Sequence, residues 1–114
     1  MTNLYEEYKD DPKMLVAIAD GEGNIAMLED IFFISKKLDI HYVSADKWNW
    51  LHQCNLICAA PLSVVEFYIK HGVEINAQDM YGMTPLHYAL RSKNAEAAIA
   101  LLKAGANPNL PNQD

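Results

Sequence analysis

Positive charge is in short supply in this sequence. Nine Lys and Arg stand against fifteen Asp and Glu, a net charge of −6 at pH 7. Such a balance repels phosphate backbones and argues against DNA or RNA as partners. The imbalance is concentrated in residues 1–40, which hold nine Asp/Glu and four Lys. No run of roughly 20 apolar residues occurs, so no membrane-spanning helix is expected. The opening Met1-Thr2-Asn3-Leu4-Tyr5-Glu6-Glu7 has neither a basic region nor an apolar core, so no export leader is read and a cytoplasmic location is expected. With five glycines in the chain, Gly21-Glu22-Gly23 is the nearest approach to a phosphate loop, and it is too short for the dinucleotide fingerprint. Cysteine is scarce too. Cys54 and Cys58 lie four apart, a poor helical geometry for a disulfide, and are read as packed, reduced thiols. His52 does not complete a zinc spacing with them. No cofactor and no metal is therefore expected. The acidic group Glu6, Glu7, Asp10 and Asp11 lacks the glycine-centred loop of a calcium site and reads as a solvated end.

What is present is apolar material in helical register. At 51% hydrophobic and 21% charged residues, the 114-residue chain can bury one core, and residues 1–114 are read as a single domain. The sharpest signal runs from Asp79 through Thr84-Pro85-Leu86-His87-Tyr88-Ala89-Leu90 to Leu101-Leu102-Lys103-Ala104-Gly105-Ala106. Thr84 is a natural N-cap and Pro85 suits the first helical position, where its missing amide costs nothing. Leu86, Ala89 and Leu90 form an inward stripe, with Ala89 small enough for close helix approach. After a turn at Ser92-Lys93-Asn94, a second helix points Ala98, Leu101 and Leu102 at its neighbours and ends near Gly105, where a left-handed cap is cheap.

This segment resembles the ankyrin repeat, whose core pattern T-P-L-H-x-A is met at every specified position by Thr84 to Ala89. Moving back by the ankyrin period of 33 residues sets Gly72 opposite Gly105, Asn76 opposite Asn109 and Asp46 opposite Asp79. Asn49-Trp50-Leu51-His52 stands in the place of Thr-Pro-Leu-His but 35 residues early, which implies a loop two residues shorter and a first helix two residues longer. Upstream, Asp11-Pro12 opens another helix through Met14, Leu15, Ala17 and Ile18, closing at Asp20-Gly21. A long second helix carries Ile25, Leu28, Ile31, Phe32 and Leu38 inward. The expected fold is an all-α ankyrin-repeat solenoid of about three helix-turn-helix repeats with hairpin-like loops. Repeats are placed at about 11–43, 44–76 and 77–109, with an N-terminal cap at 1–10 resting on Leu4, Tyr5 and Tyr8, and a tail at 110–114. The last repeat, with Ala97, Ala98, Ile99 and Leu102, is more apolar than a usual terminal cap.

The resemblance implies a protein binder rather than an enzyme, and it makes His87 structural, bridging backbone groups of neighbouring loops, with His52 doing likewise. It directs attention to the loop tips and the concave face of the first helices. There the sequence places Asp46, Lys47, Trp48, Met80 and Tyr81, extended by Tyr88 and Arg91; Trp, Tyr and Arg are the types that most often anchor interfaces. Trp50 is expected in the core and Trp48 at the surface. The partner is expected to be another protein. Small acidic ankyrin chains resemble some immunity proteins of bacterial toxin systems, which implies a basic toxin domain as that partner. A regulatory scaffold joining two partners is the other reading, and a metal- or nucleotide-dependent enzyme finds no site. The oligomeric state is left open.

Overall fold

The computed structural model describes residues 3–56 and 59–110. The expected packing of Cys58 and the tail from 111 onward lie outside the described residues. Among these, the chain forms a row of short helices and no strand: α1 (Leu4–Glu7), α2 (Pro12–Glu22), α3 (Ile25–Glu29), α4 (Trp50–Gln53), α5 (Leu62–Lys70), α6 (Pro85–Arg91) and α7 (Ala95–Lys103). The helices pack as antiparallel pairs, α2 with α3, α4 with α5 and α6 with α7, and hairpin loops join successive pairs.

Short polar side chains set where the helices begin. Asp11, Asn24, Asn49, Thr84 and Asn94 each accept a hydrogen bond from an amide in the first turn of the helix that follows. At Asn49 and Thr84 the histidine three residues on returns the bond: His52 Nδ1 accepts from Asn49 N–H at 3.0 Å, and His87 Nδ1 from Thr84 N–H at 2.9 Å. These are capping boxes with histidine in the place of glutamate. The cap at the chain's start rests on Tyr5 and Tyr8, which are half-buried, while Leu4 is exposed.

Three boundaries differ from the sequence reading. Helix α2 runs a further turn, through Asp20 and Gly21 to Glu22, before Gly23 caps it. The second helix of the first pair does not reach Leu38: α3 passes into one π-helical turn, Asp30–Ile34, and stops. There Ser35 N–H reaches back five residues to Asp30 O at 2.7 Å, and the wider turn sends Ile31 and Phe32 inward and Phe33 and Ile34 outward. Helix α4 is shorter than α6, not longer; the two additional residues fall in the connection between α4 and Pro61, where Asn55 and Ala60 are buried.

The hairpins correct the register. Ser44 N–H bonds Trp48 O at 3.0 Å and Lys47 N–H bonds Ser44 O; Asp79 N–H bonds Met83 O at 2.9 Å and Gly82 N–H bonds Asp79 O. Ser44, not Asp46, is thus the counterpart of Asp79. The matching left-handed positions are Lys47, at φ 64°, and Gly82, at φ 78°. The 33-residue match does hold after the second helices: Gly72 at φ 82° and Gly105 at φ 110° are both left-handed, and the bond from Val73 N–H to Tyr68 O at 3.1 Å repeats as Ala106 N–H to Leu101 O at 2.9 Å.

One core runs the length of the stack. Trp50 is buried, as expected, with its indole N–H on Asp39 O at 2.9 Å and its ring edge-to-face with Phe32 at 5.3 Å between centroids. Phe32 meets Tyr68 similarly at 6.1 Å. Ala89, Ala97, Ala98 and Leu101 close the last pair. Leu90 and Leu102, expected inside, face solvent.

The bridging role expected of both histidines is seen at His52. His52 is fully buried, and its Nε2 donates to Met83 O of the next hairpin at 2.9 Å. Because its Nδ1 accepts, the proton sits on Nε2. Burial, opposed by the Met83 carbonyl and by Asp79, holds its pKa below the usual imidazole value and keeps the ring neutral. His87 is only half-buried, and its hydrogen bonds among the described residues go to Thr84. His52→Ala is therefore expected to cost about 2–4 kcal/mol, since it strands buried backbone groups in two hairpins and opens a cavity, and His87→Ala about 1 kcal/mol. Urea titrations of both variants check this; an equal or larger loss at His87 would reverse the assignment.

Candidate protein-binding face

Between the hairpins and the first helix of each pair, the polar groups converge on Asp79. Its Oδ1 accepts from Tyr81 N–H and Met83 N–H, both at 2.9 Å. Its Oδ2 accepts from Trp48 Nε1–H at 2.8 Å and from the Tyr88 hydroxyl. Burial pushes the Asp79 carboxyl up, but the Tyr88, Met83, Trp48 and Tyr81 donors outweigh it and hold the pKa below the usual aspartate value. Burial, with the bond to Asp79, drives Tyr88 the other way, to about 12. The two hairpins are also tied directly, Met80 N–H to Asp46 O at 3.1 Å.

The expected contact residues divide accordingly. Met80, 46% exposed, and Tyr81, 54% exposed, stand at the tip of the second hairpin. Lys47 and Arg91 are also exposed. Trp48 is half-buried, one edge fixed to Asp79, and Asp46 offers its backbone to Met80. Tyr88 is a correction: it is 3% exposed, its hydroxyl is committed to Asp79 and its ring lies edge-to-face with His52 at 5.7 Å. It supports the face without presenting surface, with Arg91 over its ring at 5.3 Å. Val43, 55% exposed just before the first hairpin, is a further exposed apolar side chain not singled out from sequence. Its place beside a hairpin of Trp and Lys was the available signal.

A second feature missed from sequence is Asp20. Leu15, Val16, Ala19 and Asp20 form the buried stripe of α2, a 3–4 spacing that places a carboxylate inside. Tyr68 O–H of α5 donates to Asp20 Oδ1 at 2.7 Å. Burial lifts the Asp20 carboxyl to about 7 and the Tyr68 bond lowers it only in part. Burial and then Asp20 push Tyr68 far up, and burial likewise raises the Cys54 thiol. A cavity of about 230 Å³ between α2, Trp48 and α4 opens on Asp20.

The acidic N-terminal residues do not gather: Asp11 caps α2 through Met14 N–H at 3.2 Å, and Glu6 pairs with Lys9 at 3.2 Å. No helix among the described residues is long and apolar enough to cross a membrane.

Helix pairs stacked in register, the second and third entered through an Asn-Trp-Leu-His and a Thr-Pro-Leu-His box and the first through Asp11-Pro12, agree with comparison to known proteins. Residues 14–112 match the family profile of ankyrin repeats in three copies. The chain is an ankyrin-repeat protein. The human ASB11 ankyrin repeat domain superposes with a TM-score of 0.69 at 23% identity, covering 84% of this chain and 42% of that one, a likeness of fold. A putative ankyrin repeat protein of Acanthamoeba polyphaga mimivirus is 29% identical over 105 residues, 84% of this chain and 14% of its own length. An ADP-ribosylation factor GTPase-activating protein of Arabidopsis thaliana is 36% identical over 66 residues, 54% of this chain and 8% of its own. The ankyrin chain thus spans a small part of these curated relatives. Ankyrin repeats are modules for binding other proteins, and this chain carries that module.

Asp20 makes the ankyrin stack sensitive to pH in a definite sense. Its folded-state pKa lies above the unfolded value of about 3.9, so the folded protein holds the proton more tightly. Its favourable contribution is complete below about pH 4 and is lost as pH rises through about 7. Asp20→Asn is expected to stabilise the protein at pH 8 by on the order of 2 kcal/mol and to change it little at pH 4. Urea unfolding of both proteins at the two pH values checks this; an equal effect at both would show that ionisation is not what matters.

Proposed function

We propose that this ankyrin chain acts as a stoichiometric, non-catalytic protein binder that holds its partner against the hairpin tips and the adjoining first-helix face. The observation that carries this reading is the exposure of Val43, Met80 and Tyr81 on loops braced from beneath by the Asp79 bonds. Apolar side chains on a fixed scaffold lose little conformational freedom on binding, which is how compact interfaces gain affinity. Within this function we assign a basic partner, with the toxin neutralised by an immunity protein as its most concrete form. Support comes from the charge: nine acids and four lysines in residues 1–40 would steer a cationic surface toward this end of the stack.

One observation favours a second reading, a scaffold linking two partners. Leu62, Ile69, Ile99 and Ala100 line a groove between α5 and α7, away from the hairpin tips, edged by Glu66, Lys70, Glu96 and Lys103.

The test is a binding titration against the partner isolated from the source organism, with Met80→Ala, Tyr81→Ala and Arg91→Ala. Truncating an anchoring residue is expected to cost about 2 kcal/mol or more, roughly thirtyfold in affinity. Trp48→Ala is informative only beside circular dichroism, because it also removes a donor to Asp79. Glu6→Lys and Asp10→Lys are expected to slow association with a basic partner and to flatten its salt dependence. Wild-type affinity in all three alanine variants would remove the hairpin face from consideration.

A further inference from the structure

The cavity beside Asp20 has a composition that structural packing alone does not require. Val16, Ala17 and Asp20 of α2 line it together with Trp48, Trp50 and Gln53. At about 230 Å³ it is smaller than drug-sized pockets, which run roughly 300–1,000 Å³, and has the scale of one long side chain.

Asp20 is 6% exposed and has no countercharge: among the described residues the ion pair formed is Lys9 with Glu6. Burying a carboxylate without a cation is unfavourable, and a tyrosine hydroxyl on one oxygen offsets this only partly. Asn55, buried just past the end of α4, shows a neutral side chain crossing to the next helix pair without a charge to bury, accepting from Asn94 Nδ2 at 3.0 Å.

We infer that this cavity is a receptor for one cationic side chain of the bound protein, an arginine or lysine, with the Asp20 carboxylate as its counter-ion and the Trp48 and Trp50 rings as its walls. The inference rests on the protein-binding reading above and names a chemical requirement of the partner. An aromatic wall suits a guanidinium or ammonium, which is drawn to the faces of indole rings. Asp20 draws a cation inward, and insertion repays the cost of its burial. Lys13 lines the mouth of the cavity, but its ammonium is engaged by Tyr42, 3.3 Å from the hydroxyl and 4.9 Å from the ring centre. The groups facing Asp20 are Tyr68 from α5, Cys54 from the end of α4 and Lys13 from its own helix; burial holds the first two in their neutral forms. Ionisation of Asp20 itself therefore governs the cavity's charge, and cation affinity rises with pH through about 7.

The experiment needs no partner protein. The full chain is titrated with n-butylguanidinium, an arginine side chain in miniature, and with neutral N-butylurea as the control, following the Trp48 and Trp50 indole N–H signals by heteronuclear NMR. The expected result is a saturable shift of both indoles with n-butylguanidinium at pH 8, about tenfold or more weaker at pH 5.5, and none with N-butylurea. Asp20→Asn, its fold checked by circular dichroism, is expected to weaken binding about tenfold or more and to abolish the pH dependence. No saturable shift at pH 8, equal shifts with N-butylurea, or pH-independent binding by the wild-type chain would each overturn the proposal. The wild-type pH comparison decides the matter even if the variant folds poorly. Failure here leaves the hairpin-tip titrations standing, since Met80, Tyr81 and Arg91 do not line the cavity.

Discussion

A carboxylate in the interior of a small helical stack must either collect donors or give up its charge, and the exposed face of this protein depends on Asp79 having done the former. Two backbone amides, one indole and one hydroxyl converge on its two oxygens. They belong to three different pieces of chain: the second hairpin, the first hairpin through Trp48, and α6 through Tyr88. Coulombic and hydrogen-bond stabilisation of this kind is strongest where water is excluded, and partial satisfaction would cost more than an apolar substitute. The shape of the hairpin pair, and with it the direction in which Met80 and Tyr81 point, follows from keeping that one anion fully solvated by protein. Asp20 shows the opposite outcome. With one donor and much stronger desolvation, it rises to about 7.

The fold was legible because ankyrin repeats write their structural requirements locally. Thr84-Pro85 and Asp11-Pro12 announce helix starts whatever surrounds them, and the helices begin where those pairs stand. Trp50 is buried, as expected of it from sequence. What escaped sequence reasoning depended on geometry between repeats. The equivalence of Ser44 with Asp79 is hidden because a hydroxyl and a carboxylate accept the same amide bond, to Trp48 N–H in one hairpin and Met83 N–H in the other. The π turn at Asp30–Ile34 keeps an apolar spacing that reads as uninterrupted helix. Tyr88 sits on the first-helix face as expected, yet its burial is decided by Asp79 nine residues away, which no periodicity encodes.

Division of labour between buried polar groups and exposed apolar ones explains how so few residues can support a binding surface. His52, Asn55, Asn94 and Asp79 are all buried and all reach across from one helix pair or hairpin to the next. They fix spacing and rotation between repeats directionally, something apolar packing on Ala89, Ala97 and Ala98 leaves loosely specified. With register held in this way, the tips are free to carry side chains that contribute nothing to folding. Val43, Met80 and Tyr81 are more than 40% exposed and are absent from the core.

The same logic bears on the last of the described helix pairs. Its apolar sequence suggested an uncovered face, but Ala97, Ala98 and Leu101 turn inward against α5 and α6, leaving Ile99 and Leu102 outside. Small residues make this possible, because alanine lets α7 approach its neighbours closely. Glu96 and Lys103 then flank Ile99 at the two ends of α7, the acid near the positive end of the helix dipole and the base near the negative end. An outward helix face can in this way stay partly apolar and still tolerate water, through side-chain size and charge placement instead of a wholly polar surface.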